Sequence, residues 1–503
     1  MSRYFLPTDF DVAASHGPGL ELVIGPQKNL TTTYLDTFDW RLWRAGLVLV
    51  EERGHGRRLV LLESDREPYS HTIGARPGLA ADLPKGHLVD RIGPLMGIRA
   101  LIPVGAAHVE RRDGRVENAD GDIAALLRFD RVAALDRQGN STTDPIATLQ
   151  FRGDPGAAGF EVLGDLTALV DHGLEMVTAV RGRRPGDYSS KLRVALDPEQ
   201  TADSAVRRIL LDLAATIEAN VEGTMTDLDS EFLHDLRVAC RRTRSALSQL
   251  KGVLAAETAA PYNAEFKWLG DVTGPLRDLD VYLLEMPSYH AVLPAAAAAD
   301  LEPLEKLIRS TRNRALKSVE QALRSKRFAR LMTSWRQTLE ATEPSPTAMA
   351  ACRAIELADT RISKAYRRIL KRGAGFDDDP PAEALHRLRI DAKKLRYLLE
   401  FFRSLYPEQV ITARINELKQ LQDILGGLND MEVQRKRLTD FAHELHGDPG
   451  VPTSCILTVG RLAAILEERQ EGFRMAFHDA FTEFSGRRAR AAFSRISGGK
   501  GSK

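Results

Sequence analysis

Apolar residues change their spacing near residue 200. Before it, short runs at Leu47–Val50, Arg58–Leu62, Ile123–Leu127 and Ala147–Phe151 stand between turns: GHG at 54–56, RRDGR at 111–115, RQGN at 137–140 and RGDPG at 152–156. Runs of that length bounded by turn residues predict antiparallel strands. Helices are expected to interrupt them near Thr37–Ala45 and Asp165–His172. After residue 200 apolar positions recur three and four apart, the helical period. They predict helices over Val206–Ala219, Glu231–Leu250, Ala264–Leu284, Leu301–Ser325, Thr347–Lys371, Ala382–Leu405, Thr412–His443 and Leu462–Ala480. The expected fold is an α+β, antiparallel, barrel-like domain over 1–198, then an all-α domain over 201–484 made of two repeated four-helix bundles. The Gly/Ser-rich basic tail, 486–503, is expected to be disordered.

The helical part repeats itself. LHDLRVACRRTRSAL, at Leu233–Leu247, returns as LHRLRIDAKKLRYLL at Leu385–Leu399. At about 100° per residue, His234, Arg237, Arg241 and Arg244 share one edge roughly 80° wide. Leu233, Leu236, Cys240 and Leu247 fall on the side to be buried. The second copy sets His386, Arg389, Lys393 and Arg396 against Leu385, Leu388, Leu395 and Leu399 in the same way. One offset, 152, relates every pair and carries LGDVTGPLRDLDV (269–281) onto LQDILGGLNDMEV (421–433). Gapless agreement over roughly fifty residues marks a duplication. The halves are expected at about 201–290 and 350–445, joined through Pro287–Asp300 and a loop at Glu343–Thr347. Asp227 and Asp379 are expected to cap the two basic helices, with Pro380 at the first turn of the second.

Arg242 and Lys394 lie off the main edge and read as rim contacts or salt-bridge partners. Asp278, Asp280 and the Asn429-Asp430 pair are placed to fix the rotamers of the arginines. Arg312, Arg314, Lys317, Arg367, Arg368 and Lys371 either lengthen the basic surface or are plain solvated helix. Tyr397 either touches a ligand or packs at the bundle edge.

Composition narrows the classes. With 43% hydrophobic and 28% charged residues, the 503-residue chain is that of a globular protein. Its net charge of +1 argues against a generally basic coat for nucleic acid. That balance hides a division, net −4 over residues 1–200 and net +5 over the remainder, so positive surface is local. Three distant cysteines give neither a disulfide framework nor zinc spacing. The N-terminus lacks the apolar run of a signal peptide, and no apolar stretch reaches about 18 residues, so a cytoplasmic protein without membrane contact is expected. His234-Asp235 resembles half of a metal phosphohydrolase motif, but the second copy has His386-Arg387 and the neighbouring cations would repel a metal. No phosphate loop, nucleophile elbow or dinucleotide fingerprint occurs, so no metal and no cofactor are expected.

What remains is a twin row of cations. Guanidinium forks meet phosphate oxygens two at a time and lysine acts as a point charge, so the rows suit an unbranched phosphate chain with no bases to read. They lack the interleaved aromatics that stack single-stranded bases, which disfavours nucleic acid.

H-x-x-R-x-x-x-R-R-x-R, the later LRDLDV and their second copies resemble the CHAD domain, over about Thr201–Phe484. That resemblance implies binding of inorganic polyphosphate, with association at polyphosphate granules. The residues it points to are His234, Arg237, Arg241, Arg242, Arg244, His386, Arg389, Lys393, Lys394 and Arg396. CHAD domains are commonly fused behind a CYTH (triphosphate tunnel) domain. TYLDTFDWRLWRAGLVLVEER (33–53) and YSSKLRVALDP (188–198) resemble that family. The departures are larger than the matches. CYTH domains open with E-x-E-x-K, whereas Ser2 and Tyr4 stand where the last glutamate and the lysine would fall. After "AGL" come Val48, Leu49, Val50 and Glu51 instead of alternating arginines, and Glu63 stands where a lysine is wanted. The expectation is a degenerate CYTH-like scaffold and a binding protein without catalytic residues. The alternatives left open are a metal-dependent triphosphatase in the N-terminal domain and nucleic-acid binding by the stripe. The oligomeric state is not set by the sequence.

Overall fold

The structure is a computed structural model and describes residues 2–6, 20–63, 68–141, 145–152, 172–376 and 380–497. Its contacts divide it into two units, 1–189 and 190–503. The first runs β1 (Ser2–Leu6), β2 (Leu20–Ile24), β3 (Lys28–Asp36), α1 (Arg41–Arg44), β4 (Leu47–Arg53), β5 (Arg57–Glu63), β6 (Tyr69–Thr72), α2 (His87–Met96), β7 (Ile102–Asn118), β8 (Ile123–Ala134), β9 (Ile146–Arg152) and α3 (His172–Ala179). The strands form one antiparallel sheet in the order β1-β9-β8-β7-β3-β4-β5-β6, with β2 on the far end of β7. The expected helix at Asp165–His172 lies outside the described residues except for His172, where α3 begins.

Strand alternation decides what each face carries. Leu47, Leu49, Leu59 and Leu61 pack under Leu88, Ile92 and Met96 of α2. Val48, Val50, Val60 and Leu62 line a cavity of about 140 Å³ on the other face. Glu63 is on the α2 face and pairs with Arg91 at 2.7 Å. It therefore does not occupy a tunnel position, which corrects its reading as a substituted tunnel lysine. Glu51 also lies on that face, gripped by Arg53, Arg57 and Arg76. The charge inside the cavity comes from residues the sequence pattern did not single out. Arg111 donates Nε and Nη2 to Asp130 at 2.7 and 2.8 Å, and Nη1 to Glu52 at 2.7 Å. Its fork is thus filled by the protein's own carboxylates.

The second unit runs α4 (Ala202–Ala219), α5 (Val221–Met225), α6 (Ser230–Gln249), α7 (Ala256–Val292), α8 (Ala295–Ala298), α9 (Glu302–Leu323), α10 (Lys326–Glu340), α11 (Ala354–Gly373), α12 (Ala382–Phe401), α13 (Glu408–His446), α14 (Thr453–Ser485) and α15 (Arg487–Ser497). The duplication is visible in the helix starts. Helices α4, α6 and α7 begin at 202, 230 and 256, and α11, α12 and α13 begin at 354, 382 and 408. The backbone carries the same relation. Ala202 N donates to Cys352 O at 2.7 Å while Ala354 N donates to Gln200 O at 2.8 Å. Asp203 N donates to Ala350 O while Ile355 N donates to Pro198 O. Each bond maps onto its mate by the 152 offset, so an approximate two-fold axis passes at the Thr201–Arg353 bridge. One apolar core crosses from half to half, from Leu236 and Leu269 to Leu388 and Leu421. A smaller core packs Tyr282, Tyr289, Ile308, Phe441 and Leu462 beneath the distal parts of α7 and α13.

Four local expectations are corrected. Asp229, not Asp227, caps α6, accepting from Glu231 N at 2.9 Å and Phe232 N at 3.3 Å. Asp227 comes two residues too early, sits at φ 50°, and gives its carboxylate to Arg312. Asp379 lies outside the described residues, and Pro381, not Pro380, precedes α12. The supposed linker from Pro287 is still α7, which continues through Pro261, Pro275 and Pro287 to Val292. The tail is helical over Arg487–Ser497, because Phe493 is buried and stacks on Tyr366 with centroids 3.9 Å apart. Between the two halves, α10 was not anticipated. It buries Phe328, Leu331, Met332, Trp335 and Leu339 and is capped by Ser325. Among the described residues no helix is long and apolar enough to cross a membrane.

Candidate anion-binding site

The two basic helices, α6 and α12, touch one another. Each buries its leucines, and that fixes which edge is left for the cations. In the first half, Arg237 lies against α7 and donates Nη1 to Gly270 O at 2.8 Å and Thr273 Oγ1 at 2.9 Å. Glycines at one helical turn make that approach close: a Cβ on Gly274 would stand 3.5 Å from Arg237 Nη1, and one on Gly270 3.9 Å from Arg244 Nη1. Burial pulls the Arg237 pKa down and the neighbouring Arg241 adds to this, against the opposing field of Asp278. Arg244 makes no hydrogen bond or ion pair among the described residues, and its Nε is buried without a partner. His234 is half-buried on the same edge.

The second half is more tightly tied. His386 Nδ1 is 2.6 Å from Asn429 Oδ1, and Arg389 Nη2 donates to Asp430 Oδ1 at 2.9 Å. Arg396 stands 3.5 Å from Glu400. Asp430 therefore does what its place after the repeat suggested, whereas Asp280 belongs to Arg312 at 2.6 Å and takes no part. The Lys393 amine is pushed down to about 8, by burial first and then by Arg389, Arg241 and Arg396, with Asp430 opposing. Arg241 is the residue equivalent to Lys393 in the other half. Arg241 acts on Lys393 across the α6–α12 contact, so the centres of the two stripes lie close despite their like charge. Arg241 Nε donates to the Tyr397 hydroxyl at 3.1 Å. Tyr397 itself is buried, with the Arg242 and Arg396 guanidiniums 5.9 and 5.8 Å from its ring centre.

The structure thus gathers Arg237, Arg241, Arg389, Lys393 and Arg396 into one electrostatically coupled set. Arg242 is not of that kind. Its Nη2 donates to Glu400 at 2.7 Å and its Nη1 to Ser190 O at 3.0 Å, so it clamps one half to the other. Beside it, Lys394 accepts at its backbone oxygen from Gln249 Nε2 at 3.1 Å, while its ammonium has no ion pair among the described residues. Arg312 is held by Asp227 and Asp280, and Arg368 stands 3.9 Å from Asp391, so neither lengthens the stripe. Sequence reasoning missed Gly270, Gly274, Thr273 and Glu400. The first two were legible as glycines four apart on a helix facing the stripe, and the last two carried no signal.

Residues 208–439 match the family model described as CHAD domain, and a CHAD domain is present there. The match lies wholly within the helical unit. Two uncharacterised proteins of Mycobacterium tuberculosis, from strains H37Rv and CDC 1551, are each 24% identical over 450 residues, covering 83% of this chain and 83% of their own. Among solved structures, the CHAD domain from the plant Ricinus communis is 27% identical with a TM-score of 0.47, covering 57% of this chain and 95% of that one. PptA from Streptomyces chartreusis is 18% identical with a TM-score of 0.45, covering 56% and 100%.

Proposed function

We propose that the helical unit binds inorganic polyphosphate along the paired edges of α6 and α12. The observation that carries this reading is the coupled set of Arg237, Arg241, Arg389, Lys393 and Arg396, gathered from both halves, with Asp271 and Asp278 acting on Arg237, Asp430 on Arg389 and Lys393, and Glu400 on Arg396. Bringing like charges together opposes folding, and a bound polyanion is what relieves it. The ligand needs dense, regularly spaced negative charge and no particular outline. His234 and His386 stand at the outer ends, and Arg244 offers a guanidinium that makes no hydrogen bond or ion pair among the described residues. Arg242 is left as a clamp and Lys394 as a rim contact. The CHAD domain at 208–439, a family linked to polyphosphate, supports the same reading. It goes with a cytoplasmic protein that associates with polyphosphate granules. We read the antiparallel N-terminal unit as a degenerate CYTH-like scaffold, because Arg111, buried in its cavity, is already satisfied by Glu52 and Asp130.

The test is a titration of labelled polyphosphate at several salt concentrations. Affinity should fall steeply with salt, as counterion release requires. The double variant Arg237→Ala/Arg389→Ala should bind more weakly and with a shallower salt slope. Equal affinity in the two proteins with a flat salt dependence would overturn the reading. Competition by RNA as effective as by polyphosphate would transfer it to nucleic acid. Release of phosphate from tripolyphosphate with Mg²⁺ or Mn²⁺ by the full chain would make the protein an enzyme and favour the triphosphatase alternative.

A further inference from the structure

Where the two stripes meet, the two-fold relation is broken by one substitution. The first half has Arg241 and the second has Lys393. A guanidinium stays charged at any accessible pH, but an amine can lose its proton. Lys393 is half-buried, and no hydrogen bond or ion pair reaches its ammonium among the described residues. Arg389 and Arg396 flank it on α12 and Arg241 faces it from α6. Asp430 of α13, the carboxylate that opposes their field most, is already engaged by Arg389 at 2.9 Å. Three cations and one committed anion surround a fourth cation that need not be charged.

We propose that Lys393 makes this a proton-coupled anion site: the protein takes up a proton at the Lys393 amine when a polyphosphate chain binds and releases it when the chain leaves. The proposal rests on the polyphosphate reading and concerns the regulation of that same site.

The free-state amine, pushed down to about 8, is protonated at pH 7 and mostly neutral at pH 9. Phosphate oxygens laid along the stripes reverse the sign of the field at Nζ. They return the amine to the ordinary lysine range, near 10.4, or beyond it. The pKa is then higher in the bound state than in the free state. Binding therefore takes up a proton between the two values and none well below the lower one. Affinity is full below about pH 7.5 and falls as pH rises, by about tenfold between pH 7 and pH 9. Linkage makes the converse true, so acidification tightens the complex by the same factor. Any protons taken up by the histidines of the stripe are common to the natural protein and Lys393→Arg, so the comparison of the two removes them.

The experiment is calorimetric titration of the full chain with long-chain polyphosphate at pH 8.5, in buffers of different ionisation enthalpy, for the natural protein and Lys393→Arg. The natural protein should take up about three-quarters of a proton more than Lys393→Arg, the fraction set by an amine pKa of about 8. Comparing the two subtracts protons that belong to the ends of the polyphosphate chain. Lys393→Arg should bind as tightly at pH 9 as at pH 7. Lys393→Gln, fixed in the neutral state, should bind at pH 7 about 200-fold more weakly than the natural protein does at pH 7, and so more weakly than the natural protein at pH 9. Salt-dependent binding with equal proton uptake in the natural protein and Lys393→Arg would overturn this proposal and leave polyphosphate binding standing. Absence of binding at every pH would remove both.

Discussion

Arg242 and Arg244 are two residues apart on one helix and do different work. Arg242 spends its fork on Glu400 and the Ser190 carbonyl, while Arg244 makes no hydrogen bond or ion pair among the described residues. Arg242→Ala should lower stability by about 1.5–3 kcal/mol, because a charge-assisted hydrogen bond is lost and Glu400 is left with less. Arg244→Ala should leave the melting curve within about 0.5 kcal/mol of the natural protein. It should reduce the magnitude of the slope of log affinity against log salt by about 0.7–0.9, the loss of one phosphate contact. Thermal melts and salt titrations of both variants check the contrast, and the opposite assignment of effects would show that the clamp and the contact have been exchanged. The helical wheel put Arg242 off the stripe, so its separation from the other arginines was legible. Its partner was not: Glu400 lies 158 residues away and comes within reach only because α6 and α12 dock. The wheel likewise put Tyr397 near the stripe but gave no sign that its ring would be buried among arginines.

At the scale of elements, long periodic helices were readable and short or docked ones were not. The 20-residue α6 and α12 carry enough leucines at helical spacing to define their buried sides from sequence. Helix α7 was cut short at Pro287 because proline inside a helix removes a hydrogen bond, and only the surrounding packing of Tyr282, Met286 and Tyr289 carries the helix through it. The 11-residue α15 was hidden for a different reason. Its arginines and small residues look like a solvated tail, and its single aromatic, Phe493, finds Tyr366 only across 127 residues of chain. Phe493→Ala should therefore act on the element as a whole. Truncating a fully buried phenylalanine costs about 3–5 kcal/mol, more than an isolated helix of this length can supply from its own backbone. Hydrogen exchange should show amides 487–497 losing their protection while α6 and α12 keep theirs. Retained protection at 487–497 would mean that contacts other than Phe493 hold α15 in place.

At the scale of the molecule, the constant offset made the duplication plain in the sequence, but the axis that relates the copies was hidden. It is drawn by backbone bonds between 198–203 and 350–355, segments without a side-chain pattern to betray them. Two copies with separate cores would fold as two domains. Here one core contains Leu236 and Leu269 of the first copy together with Leu388 and Leu421 of the second, so the copies should unfold together. The N-terminal unit has cores of its own, built on residues such as Leu49, Ile92, Val116 and Val177. Scanning calorimetry of the full chain should resolve two transitions, one for each unit, and not three. Polyphosphate should move only the transition of the helical unit, because a ligand stabilises what it binds, by about 2.7 kcal/mol when present at a hundred times its dissociation constant. Arg237→Ala/Arg389→Ala should leave both transitions resolved and reduce the ligand-induced shift. A shift confined to the other transition would place the ligand in the β unit instead. A third transition would mean that the shared core does not couple the two stripes, and a site assembled from both halves would then lose its rigid frame.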